Sequence, residues 1–439
     1  MNNNISRRVF IKSGALALAS VGVAPVVGPQ FLRRAVFGAE DNRKSGARFG
    51  KKILICVFQR GAVDGLSMVA PHGDSDYYKL RGIGAGGIAL PRTGDNRVLD
   101  LDGHFGLHPA LAALHPIYKA GHMAPIHAVG SPSSTRSHFD AQDYMESGSP
   151  DRALPDGWLA RAMQYCPQDA ATLQSAFRGI SMTSQVPRTL SGVDTLAIPD
   201  IRNFGVKVAT GAGMTNRNAN DSSGGFESLY DEAVGDVLHG TGRESFEAIK
   251  VLKSLSSKPY VAANNAKYPN GRYGESLKQI AQLIKANVGV EVAFAESNGW
   301  DTHVNQGGAQ GQLSRKLKEF GDGLAALYTD LGDRMNDVVI LTMSEFGRTA
   351  RQNGNGGTDH GHGTCFLTLG GDVKGGRVLG QWPGLAPEQL YDGRDLAVTT
   401  DFRDVFGEVA TRHLGVTKLD AVFPNRKTKP AFRNVLRAS

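Results

Sequence analysis

The stretch "KILICVF", Lys52 to Phe58, decides the fold. Seven residues with no polar alternation after the first are what a strand covered on both faces requires; a strand with one wet face would alternate. Four further runs of the same kind follow: "MAPIHAVGS" (123–131), "VGVEVAFAES" (288–297), "DVVILTMSE" (337–345) and "TCFLTLGG" (364–371). Helical spacing separates them at 108–121, 137–147, 226–255, 274–288 and 313–335, and a last helical pattern closes the chain at 400–415. Strands alternating with helices predict an α/β fold: a mostly parallel central sheet with helices on both faces. Cys56 and Cys365 lie inside two of the apolar runs and read as core residues. With Cys166 they make three cysteines in 439 residues, too few for a disulfide scaffold.

In such a sheet, ligands gather outside the carboxyl ends of the strands. The polar segments fall there. "QRGAVDG" (59–65) follows the first run, "NGWDTHVNQ" (298–306) the third, and "SEFGRTARQNGNGGTDHGHGT" (344–364) the fourth. Asp301 and His303 are two apart, so in extended backbone both face one side. His360 and His362 repeat the spacing around Gly361, and Asp359, Glu345 and Asp64 add carboxylates. Carboxylates mixed with imidazoles suit zinc, manganese or iron better than magnesium or calcium. These seven residues are the expected ligands of one or two divalent ions, zinc or manganese before magnesium or calcium.

The segment "GSPSSTRSHFDAQDYM" (130–145) offers Ser133, Ser134, Thr135 and Ser137 just ahead of a helical pattern. A helix N-terminus stabilises an alkoxide and attracts anions. Ser137, followed by His138, is the first choice of nucleophile; its competing role is a helix N-cap, and a metal-activated water could replace it. Arg136 and Arg348 could clamp a phosphate or sulfate. His108, before Pro109, reads as a capping or packing residue, and Trp300 as a wall or core residue.

The N-terminus, "SRRVFIK" (6–12) followed by an apolar stretch to Val27, matches a twin-arginine export signal. Residues 1–39 are expected to be that signal, 40–50 a polar tether, and 51–439 a single domain with a helical insertion at about 186–275. The expected location is the periplasm or outside the cell, with the twin-arginine translocase a partner during export. The signal region holds five basic residues and no acid, which leaves 44 Lys and Arg against 42 Asp and Glu. The formal +7 is therefore mostly the signal's, and gives no ground for a nucleic-acid partner. No stable membrane span is expected, since the apolar stretch is short and rich in glycine and alanine.

"RGAVDGLSMVAP" (60–71), "FGLHPALAALHPIYKAG" (105–121), "HAVGSPSSTRSHFDAQDYMESG" (127–148), "GWDTH" (299–303), the run 340–364 and "KGGRVLGQWPGL" (374–385) together resemble a bacterial family known as a domain of unknown function, number 1501. That family is similar to the alkaline phosphatase and sulfatase superfamily in fold and in the order of its acidic and histidine motifs. The resemblance implies two metals flanking a Ser, Thr or formylglycine nucleophile. It casts Asp64 as the early metal carboxylate, Ser137 as the nucleophile, Asp301 and His303 as a later pair, and His362 as the last metal histidine. Glu345 matches an acid of the pattern, but Phe346 stands where a histidine is usual; Asp359 and His360 would make up the missing ligand. No Cys-x-Pro-Ser-Arg run occurs, which argues against a formylglycine sulfatase. The expectation is an exported metal-dependent hydrolase of small-molecule or polymeric phosphate or sulfate esters. The alternative is a non-catalytic exported binding or assembly protein that keeps the fold and a structural metal. A metal-free serine hydrolase is a third option.

Overall fold

The structure, a computed structural model, describes residues 52–149, 154–167, 175–204, 248–424, 426 and 428–437. Its strands in chain order are β1 (Ile53–Arg60), β2 (Val69–Ala70), β3 (Leu99–Asp100), β4 (Gly106–Leu107), β5 (Met123–Gly130), β6 (Gly179–Ser181), β7 (Leu196–Ala197), β8 (Val292–Asn298), β9 (Val338–Met343), β10 (Thr364–Gly370) and β11 (Thr400–Asp401). Eight of them form one sheet in the order β11-β5-β10-β9-β1-β8-β6-β7; β2, β4 and β3 form a small antiparallel sheet.

β1 sits in the middle and pairs in parallel with both β8 and β9. Its residues alternate between two cores. Ile55 and Val57 pack with the helices Arg272–Lys285 and Gln312–Leu331; Leu54, Cys56 and Phe58 pack with Trp158–Tyr165 and Phe402–Arg412. Helices on both faces explain why the run carries no polar alternation: there is no wet face. Each fully buried aliphatic or aromatic side chain here stabilises the fold by roughly 1.5–3 kcal/mol. Tyr273 and Phe320 stack at 5.8 Å to join the first two helices, and Trp300, fully buried, meets Phe320 edge-on at 5.4 Å.

One strand runs against the rest. β10 is antiparallel to both β9 and β5. The chain that leaves the carboxyl end of β9 therefore re-enters the sheet from the same rim, and all of 344–363 stays there. That loop is a folded irregular hairpin: Gly347 N–H donates to His362 O at 2.9 Å, Thr349 N–H to Asp359 O at 2.9 Å, and Gly361 N–H to Gly347 O at 2.8 Å. The glycines permit this contact. A Cβ on Gly361 would stand 2.3 Å from the carbonyl carbon of Arg348, so only glycine fits.

Of the region expected as a helical insertion, residues 186–204 include β7, an edge strand of the main sheet, and the helix Arg272–Lys285 lies at its end; 205–247 fall outside the described residues. The expected signal and tether, residues 1–50, also fall outside them. Cys56 and Cys365 are buried and unpaired, as expected of core residues, and burial raises both thiols far above their ordinary range. Among the described residues, no helix is long and apolar enough to cross a membrane.

Candidate metal centre

Three imidazoles converge at the rim. His138 opens the helix His138–Ser147, His303 follows β8, and His360 belongs to the β9–β10 loop. Nε2 of His360 lies 3.0 Å from Nε2 of His138 and 3.0 Å from Nε2 of His303. The Asp301 carboxylate completes the group, with Oδ1 3.2 Å from His360 Nε2 and 3.0 Å from His303 Nε2, and Oδ2 3.6 Å from His138 Nε2. His138, Asp301 and His360 can place one ligand atom each within 4.8 Å of one another, and His303 borders that trio.

The opposite nitrogen of each ring faces an acceptor. His138 Nδ1 faces Glu345 Oε1 at 2.8 Å, His303 Nδ1 faces Asp359 Oδ1 at 3.1 Å, and His360 Nδ1 faces the carbonyl of Arg136 at 3.0 Å. Carboxylates and carbonyls only accept, so each Nδ1 is placed to donate while each Nε2 is turned inward toward Asp301 and its neighbouring rings. Three imidazole nitrogens and a carboxylate are thus crowded together. Positive charge already borders the group: Arg348 Nη2 lies 2.8 Å from Asp301 Oδ1, and its Nη1 lies 3.5 Å from His303 Nε2. Imidazole ligands that donate their far N–H to a carboxylate or carbonyl are the usual mark of a metal-binding histidine.

The outer groups are anchored in turn. Glu345 is fully buried, and besides His138 its Oε1 accepts from Gly61 N–H at 2.8 Å and Gln142 Nε2 at 3.0 Å. Burial would push its carboxyl up, but the hydrogen bond from His138 and those from Gln142 and the backbone win, holding it below the ordinary range. The same bond to Glu345 raises the basicity of His138, while burial and the neighbouring His138 lower that of His360. Asp301 is likewise pushed up by partial burial and pulled down further by Arg348 and the three histidines, and ends below the carboxylate range. Arg348, whose side chain is fully buried, sets Nη2 2.8 Å from Asp301 Oδ1. Arg60, at the end of β1, ties Gln142, Glu146 and Glu296 together at 2.6–2.9 Å, which fixes the His138 helix against the sheet.

The remaining expected residues stand as follows. Asp301, His303 and His360, expected ligands, are brought together. Glu345 and Asp359, also expected as ligands, instead hold the outer faces of His138 and His303. Asp64 is apart: it is buried in an ion pair with Arg81, whose Nη1 lies 2.6 Å from Oδ2 and Nη2 2.9 Å from Oδ1. His362 is turned away, with Nε2 on the carbonyl of Ser131 at 2.9 Å and its ring against Tyr391. Ser137 is the exposed N-cap of its helix, accepting from Asp140 N–H at 3.4 Å. The Arg136 side chain pairs with buried Asp395 at 2.7 Å, so its contribution to the centre is its carbonyl. His108 caps a short 3-10 helix through Nδ1.

His138 was expected as a catalytic residue beside Ser137, not as a metal donor. Phe346, beside Glu345, packs against the rings of His138 and His360 at 5.0 and 5.1 Å.

The fold and these residues define an α/β protein with a histidine-rich candidate metal site at the carboxyl rim of its sheet. The chain belongs to the family described as "Protein of unknown function (DUF1501)", whose model matches residues 51–423. Among solved structures it is similar to the PsFucS1 sulfatase from Pseudoalteromonas sp., at 12% identity, with 94% of this chain and 78% of that chain covered and a TM-score of 0.36. A search of the curated proteins finds no match.

Proposed function

We propose that the protein is an exported metal-dependent hydrolase of phosphate or sulfate esters. The observation that carries this reading is the convergence of three Nε2 atoms and the Asp301 carboxylate, with every Nδ1 facing an acceptor on its outer side. His138, His360 and Asp301 would hold the ion, with His303 bordering it. Imidazoles mixed with a carboxylate suit zinc or manganese over magnesium or calcium. When bound, a divalent cation supplies the positive charge that polarises an ester oxygen. Glu345, Asp359 and the Arg136 carbonyl keep the imidazoles aimed. Arg348 holds a fixed positive charge beside Asp301, where an anionic ester would be attracted. The loop 131–137 leads directly into His138, and Ser137 Oγ or a water would be the nucleophile. The twin-arginine route delivers the protein already folded.

The test is metal analysis of protein purified from the periplasm, followed by assays with aryl phosphate and aryl sulfate. Turnover that His360→Ala abolishes and His72→Ala leaves intact is expected. Metal-replete protein inert toward every ester would instead favour the non-catalytic binding role, and turnover that survives chelators would favour a metal-free serine hydrolase.

A further inference from the structure

We infer that the centre takes one divalent cation rather than the two the alkaline phosphatase resemblance implies, because the guanidinium of Arg81 already occupies the carboxylate meant for a second. This rests on the metal reading above and adds a stoichiometry to it.

Two residues that the resemblance assigns to metal, Asp64 and His362, lie outside the cluster. Every acceptor site of Asp64 is in use. Oδ1 takes Arg81 Nη2 at 2.9 Å and Ser67 N–H at 3.3 Å. Oδ2 takes Arg81 Nη1 at 2.6 Å, Ser67 Oγ at 2.8 Å and Gln306 Nε2 at 2.6 Å. A carboxylate offers about four lone-pair directions, so no room remains for an ion.

Arg81 is equally complete. Its Nε donates to the carbonyl of Ala350 at 3.0 Å, Nη1 also reaches Ser67 Oγ at 2.8 Å, and Nη2 also reaches the carbonyl of Thr349 at 3.1 Å. All five guanidinium hydrogens thus have acceptors, in a residue 1% exposed. The arginine neutralises Asp64 and at the same time fastens the β9–β10 loop to the short helix Gly65–Met68 after β1. A divalent ion placed here would have to displace a satisfied buried cation and then face its charge. His362 offers no second site on its own: one ring nitrogen is on Ser131 O, and the other has no carboxylate beside it.

The experiment is titration of metal-stripped full-length protein with zinc chloride alone, read by calorimetry and by mass-spectrometric metal-to-protein ratio after desalting. One zinc per chain is expected. His360→Ala should bring the ratio close to zero, and His362→Gln should leave it at one. Asp64→Asn should also leave it at one; because that variant leaves Arg81 buried beside an amide and can misfold, His362→Gln carries the test independently. A ratio of two, falling to one in His362→Gln or Asp64→Asn, would overturn the inference. So would a ratio of zero, which would remove the metal reading as well. One zinc per chain in a protein inert toward aryl phosphate and aryl sulfate would support this inference while ending the ester hydrolase reading.

Discussion

Glu345 shows how much a single side chain does at this rim. It binds no candidate ion, yet it fixes the ring of His138, and Gly61, Gln142 and Ser344 bond to it as well. Glu345→Gln keeps the shape but can present its amide hydrogens where His138 needs an acceptor. Zinc affinity, measured by competition with a chelating dye, should fall about 10–100-fold while the fold persists. Unchanged affinity would mean that Glu345 does not orient His138. Ser137 separates two roles cleanly. As an N-cap alone, Ser137→Ala costs on the order of 1 kcal/mol in unfolding free energy and leaves turnover intact. As the nucleophile, the same change removes turnover with that small loss of stability. Two other histidines bear on pH. His127 and His108 are buried neutral, each taking a backbone N–H at Nδ1 and donating Nε2–H to a carbonyl. Burial pushes both from 6.5 down to about 4. The unfolded chain protonates them first as pH falls, so stability is full above pH 6.5 and drains between there and pH 4. The loss is on the order of 3 kcal/mol for each residue. Denaturant melts at pH 7 and pH 4.5 check this, and His127→Gln should flatten part of the slope.

At the scale of elements, the end of β1 is the tightest joint. Gly61 has φ +113°, and a Cβ there would stand 2.8 Å from the backbone nitrogen of Asp301; Ala62, at φ 62°, is already left-handed. Gly61→Ala should destabilise the protein by roughly 1–3 kcal/mol and weaken zinc binding by moving Asp301, as seen by thermal melting and titration. The long strands were readable because burial on both faces leaves an unbroken apolar run. The direction of β10 was not: nothing in "TCFLTLGG" distinguishes a parallel from an antiparallel strand, and only pairing with β9 and β5 settles it. β6, β7 and β11, at two or three residues each, carry no period to read. The candidate site was readable by segment more than by residue. The rule that strand ends collect ligands placed Asp301, His303 and His360 together, but spacing along the chain cannot show that Arg81, on a helix further along the chain, claims Asp64. Nor can it show that His138 reaches over to Glu345.

For the whole molecule, one rim receives the ends of β1, β8 and β9 and the start of β10. Chemistry at that rim depends on tertiary closure, so metal binding and folding should be linked. Zinc present in excess over its dissociation constant should raise the unfolding temperature, by about 2.7 kcal/mol of stability at a hundredfold excess, and His360→Ala should remove that rise. Export belongs to this scale too. Replacing Arg7 and Arg8 together with lysine should leave the folded protein in the cytoplasm, as fractionation would show; unchanged secretion would argue against the twin-arginine route.

The most direct test of the account is anomalous diffraction at the zinc edge from crystals of the zinc-loaded protein. The account predicts a peak about 2.0–2.1 Å from the inward Nε2 atoms of His138 and His360 and bonded to the Asp301 carboxylate. No peak at that rim, or imidazoles turned so that their Nε2 atoms point apart, would contradict it.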